Sequence, residues 1–161
     1  MRRIAFYGLA LAVAVVAVVV GVDLLHESDE ERVEKVLDQL RSAATAGDAG
    51  RILPLVDLDR DGFEITVGHD KERFSAGDLD ALEERLTDGV EWLGDSSLRF
   101  DSSTVTISGD RAHAYFRVVL QRTEGGDEAF PVDLTLRRAG DSWLAIRFRA
   151  LTSGGERSAR R

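Results

Sequence analysis

Three carboxylates at alternate positions before a glycine, Asp57-x-Asp59-x-Asp61-Gly62, form the sharpest local motif in this chain of 161 residues. Such spacing is how an EF-hand loop wraps calcium, with oxygens from every second residue converging on a hard cation. The rest of the loop departs from that plan. Counted from Asp57, position 12 should supply a bidentate glutamate and is Gly68, while Asp70 and Glu72 fall two and four places late. Position 8, normally apolar, is Glu64. In a chain with 17 aspartates the preferred reading is an acidic, solvated turn between a helix and a strand. Asp57, Asp59 and Asp61 stay as weak calcium candidates.

A second grouping comes from strand parity. His113, Tyr115, Arg117, Asp133, Thr135, Arg137, Trp143, Arg147 and Arg149 are expected on the polar face of a sheet. An antiparallel sheet normally has one such solvated face. The same residues could form a subunit or partner interface, or a site for an anionic ligand. Tyr115 and Trp143 among arginines favour the interface over the ligand site, because those residue types concentrate where proteins meet. His26, His69 and His113 are isolated, with no metal-ligand spacing around them. The chain has no Gly-x-Ser-x-Gly elbow, phosphate-binding loop or dinucleotide fingerprint. No catalytic residue and no cofactor is assigned.

The elements that would position these residues are marked locally. Ser28-x-x-Glu31 is a capping box, and Val33, Val36, Leu37, Leu40, Ala43 and Ala44 follow at helical spacing until Gly47. Asp48 can cap a second, shorter helix with Ile52, Leu55 and Val56 inward, interrupted by Pro54. Phe63 to Val67 reads as a short strand, with Gly68-His69-Asp70 as a turn, giving a strand or hairpin near 63–74. Ser75 with Asp78 opens a third helix, whose stripe is Leu79, Leu82, Leu86, Val90 and Leu93.

From Leu98 the period changes to two. Four strands follow, broken at Gly109-Asp110, Glu124 to Asp127 and Gly140-Asp141, as in a meander. Leu98 and Phe100 are out of phase with Val105 and Ile107, so a bulge near Ser102-Ser103 is required. On parity, Leu144, Ile146 and Phe148 face the core. Helices first and a curved antiparallel sheet after them make an α+β domain over 28–151, followed by a tail, 152–161, that should be disordered.

Thr45-Ala46-Gly47-Asp48-Ala49, with Leu53 to Asp57 after it, resembles the opening of the nuclear transport factor 2-like superfamily. Gly140-Asp141-Ser142-Trp143-Leu144-Ala145-Ile146 is similar to that superfamily's closing turn and Trp-bearing last strand. The resemblance implies a cone-shaped fold with a cavity between helices and sheet, and often a dimer through the sheet. It implies no single activity, because members range from isomerases and cyclases to carriers and non-catalytic assembly proteins. The enzymes need a carboxylate base inside the cavity, whereas the stripes assigned inward here are Val, Leu, Ile, Phe and Ala.

The start of the chain supplies an address. Arg2 and Arg3 precede an uncharged apolar run from Ile4 to Val22, and as a helix those 19 residues reach about 28 Å, close to the hydrocarbon thickness of a bilayer. Residues 1–22 are read as a transmembrane anchor and 23–27 as an acidic linker, with a cleaved signal peptide as the alternative. Positive charge before the run and Asp23, Glu27, Asp29, Glu30 and Glu31 after it put the N-terminus in the cytoplasm and the domain outside. Without Arg2 and Arg3 the chain has 19 basic and 29 acidic residues, a balance of −10 that repels nucleic acid. Zero cysteines exclude a disulfide framework, a thiolate metal site and a lipid-anchored cysteine. The leading expectation is a membrane-anchored, non-catalytic binding or assembly domain that self-associates, as a homodimer, or binds an envelope partner. The alternative is a carrier of a small apolar ligand, or an isomerase- or cyclase-type enzyme, using the cone.

Overall fold

A computed structural model describes residues 27–94, 96–122 and 126–151. The apolar run 4–22 and the tail 152–161 lie outside the described residues. Within them no helix is long and apolar enough to cross a membrane.

Helix α1 (Asp29–Ala46) starts where the capping box puts it. Ser28 Oγ accepts from the Glu31 N–H at 3.2 Å, and the Glu31 carboxylate accepts from the Ser28 N–H at 2.8 Å. Val33, Val36, Leu37 and Ala43 are buried against the sheet. The second helical segment is shorter than its pattern suggests. It consists of two consecutive 3-10 turns, Ala49–Arg51 and Leu53–Leu55, because Pro54 in the second turn has no N–H to continue a ladder. After a 3-10 turn at Ala76–Asp78, helix α2 (Leu79–Leu93) follows.

The strands are β1 (Phe63–Val67), β2 (Asp70–Phe74), β3 (Ser97–Ser108), β4 (Arg111–Arg122), β5 (Gly126–Ala139) and β6 (Ser142–Ala150). They form one six-stranded sheet in the order β2-β1-β6-β5-β4-β3. The 63–74 hairpin therefore belongs to the same sheet as the meander, and it joins through a parallel pairing of β1 with β6. Glu64 fixes that junction from the outer face. Its carboxylate meets Lys71 and Arg73 of β2 at 3.0 Å each and Arg147 of β6 at 3.2 Å.

Two irregularities decide which side chains face the helices. The expected bulge lies between Asp101 and Thr104, with Ser102 at φ 54°, and it brings Phe100 and Val105 to the same face. A second register shift separates Thr135↔Arg147 from Leu136↔Ala145, so Ile146 is an extra residue in β6. The core face of β6 is consequently Trp143, Ala145 and Phe148 rather than Leu144, Ile146 and Phe148. Trp143 is 1% exposed, in the core with Leu37, Leu134 and Leu136.

Candidate functional site

Helix α2 covers the sheet only at its start. Leu82 is its one fully buried residue, while Leu86, Val90 and Leu93 are half-buried. Their stripe faces the inner sheet side across a gap, because α1 and the 3-10 turns already occupy the other half of that side. The gap is a cavity of about 270 Å³, walled by Leu40, Ile52, Phe116, Leu134 and Phe148 as well as by the α2 stripe. Beyond it a groove of about 620 Å³ continues past Trp92, Val118 and Phe130 to Glu128. The groove reaches the Glu128 end of β5. Helix α1 begins at the other end, where Asp29 pairs with Arg138 and Arg32 meets Asp141.

Among the described residues the one ionisable side chain lining the inner cavity is Arg85, whose Nε donates to Glu72 at 3.0 Å. The described lining offers apolar contact and holds no Asp, Glu, His or Tyr. The periodic Leu and Val residues were legible in the sequence as a core stripe. That the stripe would face a void was not, although Gly89 beside it also lines that space.

The carboxylate motif serves a different purpose. Asp57 Oδ2 accepts from Arg137 Nε at 3.1 Å and from Arg137 Nη2, and Asp61 accepts from Arg137 Nη1 at 2.9 Å. Asp57 Oδ1 takes the Asp59 N–H at 3.1 Å. Among the described residues no three His, Cys, Asp or Glu side chains gather in a way that could hold a metal ion. Gly62 also has its own reason. At φ 73° a Cβ there would lie 2.4 Å from the Phe74 carbonyl oxygen, so the glycine lets β1 and β2 close.

Arg137, expected on the solvated face, is only 4% exposed, because the 57–61 segment folds over it and supplies its counter-charges. Trp143, expected beside it, is in the core through the β6 bulge. Thr135 is buried and Asp133 half-buried. His113, Tyr115, Arg117, Arg147 and Arg149 are exposed, Tyr115 to 55%. The register brings Tyr115 opposite Asp133, and Asp133 opposite Arg149. These five form the part of the expected interface that is on the surface.

Among the described residues the perturbed carboxyls belong to ion pairs and to the Ser75 cap, where hydrogen bonds from Ser75 hold Asp78 low, and none of them lines the cavity. Burial opposes ionisation of Asp57, but hydrogen bonds from Arg137 and from the Asp59 and Arg60 backbone outweigh it and hold the carboxyl below its usual range. Glu64 is held low by its hydrogen bonds with Arg73 and Lys71 against a smaller opposing effect of burial. A carboxyl depressed in the folded state adds stability above its unfolded pKa, about 4, and loses that contribution as pH falls through the folded value. Thermal melting of the protein is therefore expected to show Tm dropping as pH falls below about 4. Glu64→Gln should make that acid limb shallower, and an unchanged limb would remove Glu64 from the account.

Solved structures share the architecture. A nuclear transport factor 2-like protein with a cystatin-like fold from Novosphingobium aromaticivorans matches with TM-score 0.63 and 22% identity, over 89% of this chain and 92% of that one. A putative calcium/calmodulin-dependent protein kinase type II association domain from Thiobacillus denitrificans matches with TM-score 0.63 and 15% identity, over 74% and 93%. A putative ketosteroid isomerase from Shewanella frigidimarina matches with TM-score 0.61 and 17% identity, over 72% and 91%. No protein-family model matches the sequence. No curated protein matches it either. The fold is thus that of the nuclear transport factor 2-like, cystatin-like α+β cones. At these identities the likeness is one of fold alone.

Proposed function

We propose that this chain is a membrane-tethered, extracytoplasmic binding domain that holds an apolar molecule in its cone and performs no chemistry on it. The observation that carries the reading is the open cavity of about 270 Å³ whose lining, among the described residues, contains Arg85 as its single ionisable side chain. Acid–base catalysis in such a cone needs a carboxylate poised by burial, whereas the depressed carboxyls Asp57 and Glu64 are committed to cations elsewhere. A dry apolar cavity gains from a guest that supplies the missing contacts. The tether is supported by the charge-free run Ile4 to Val22 behind Arg2 and Arg3.

The test is a thermal shift of the full-length protein in nanodiscs with small apolar molecules. A guest at about a hundred times its Kd should add about 2.7 kcal/mol, a rise of several degrees in Tm. Leu134→Trp, which fills the cavity, should raise the apo Tm or leave it unchanged and abolish the shift. No shift with any apolar guest would sink the reading.

A second reading is supported by the exposed Tyr115 with Arg117, Arg147 and Arg149 around it on a domain of opposite net charge. This surface suits a second copy or an acidic envelope partner. The full-length protein should then sediment as a dimer or with that partner, and Tyr115→Ala with Arg117→Glu should return it to monomer. A wild-type monomer that captures no envelope protein would end this second reading.

A further inference from the structure

We propose that the guest is a single linear chain with a neutral head, inserted tail first, and that Gly89 is the doorway it passes. The proposal rests on the apolar-guest reading above and specifies its ligand. The inner cavity and the outer groove are two spaces in series, and they share Val67, Arg85, Gly89, Leu93 and Phe148 as lining. Gly89 lies inside α2, where glycine is among the least favourable residues. Nothing lies within 4 Å of where its Cβ would be, so no neighbour demands the absence of a side chain. The missing side chain leaves open space at a point that borders both cavities, which is where a guest would pass between them.

The shape of the joined space selects a chain. Along β5 its wall runs from Leu134 to Glu128, about 20 Å at the rise of an extended strand. That is the reach of a long-chain acyl tail, and a compact ring system would fill one space and leave the other empty. The polar groups select the direction. Arg85, Asp88 and Glu128 line the outer groove, so the head belongs there and the tail among Phe116, Leu134 and Ala145. Charge at that end selects the head. Arg85 is paired with Glu72, Arg122 meets Glu128 at 3.7 Å, and Asp88 has no salt-bridge partner among the described residues. Three carboxylates against two guanidinium groups disfavour an anionic head and suit a hydroxyl or a similar hydrogen-bonding group.

The experiment uses the full-length protein in phosphatidylcholine nanodiscs, with empty discs as the blank. Binding of brominated long- and short-chain primary alcohols is followed by quenching of Trp92, which lines the groove and is 60% exposed, with Trp92→Phe as the reporter control. A long-chain fatty acid and a sterol complete the probes. The long alcohol should bind the wild type at least about tenfold more tightly than the short one, from the extra apolar surface buried. Gly89→Leu should fold, since a helix favours leucine, and should erase that gain. Gly89→Ala, with the smallest side chain, should lose less of the gain.

The proposal is overturned if Gly89→Leu keeps the long-chain advantage, or if the sterol or the fatty acid binds as tightly as the long alcohol. Binding of the short alcohol without any gain from length overturns the linear-chain guest and its doorway together, and leaves the apolar-guest reading standing. No binding of any probe overturns both.

Discussion

Arg137→Met is expected to lower the unfolding free energy by about 3–5 kcal/mol, because it strands the Asp57 carboxylate in the interior without its counter-ion. The two side chains are 5% and 8% exposed, and they join positions 80 residues apart. The cost is thus the desolvation of a charge that has lost its partner, not the worth of an exposed ion pair. Two further variants separate these. Asp57→Leu combined with Arg137→Met removes both charges and should recover most of the loss, since an apolar pair of similar volume is often neutral or better. Asp61→Asn should cost under about 1 kcal/mol, because Asp61 is 70% exposed and its attraction is screened by water. Denaturant unfolding of the wild type and these three variants checks the expected losses. An Arg137→Met variant within about 1 kcal/mol of wild type would show that the pair is as weak as a surface contact.

Trp143→Ala should cost a similar amount, about 3–5 kcal/mol, the usual loss when a buried tryptophan leaves a cavity. This result discriminates sharply between two placements of the residue. By simple alternation Trp143 shares the outward face of Arg147 and Arg149, where truncation would cost under about 0.5 kcal/mol. The extra residue Ile146 reverses that parity and sends Trp143 inward, to 1% exposure, with the Arg138 guanidinium 5.1 Å from its ring centroid. A small loss on chemical unfolding would mean that β6 has no bulge. Trp143→Phe keeps most of the apolar volume and should retain over half of the stability lost by Trp143→Ala.

How much of this was legible follows from the range of each signal. Ser28 with Glu31 and Ser75 with Asp78 act across three residues, and both capping boxes form as written. The phase conflict between Phe100 and Val105 required a bulge, and it is there. The β6 bulge left no such trace, since Leu144, Ala145 and Ile146 are all apolar and either register looks acceptable along the strand. Its detection needs the partner, Thr135 and Leu136 on β5. Likewise Asp57, Asp59 and Asp61 advertise a cation, and a cation does answer two of them, but it is Arg137 from the far half of the chain. Alternation alone put Arg137 on the wet face because the segment that covers it belongs to no regular element.

What the sequence by itself determined is local: where α1 and α2 begin, where β3 to β6 turn, which residues are apolar enough to face a core, and the acidic balance of −8. Those properties arise from hydrogen bonds and side-chain periodicities spanning a few residues, so they can be read from neighbours along the chain. Only the tertiary structure decided that β1 runs parallel to β6, that Arg137 and Trp143 are buried, and that the stripe of α2 faces a cavity instead of a filled core. Register and empty volume are differences between many long-range contacts, each small, and no single residue encodes them.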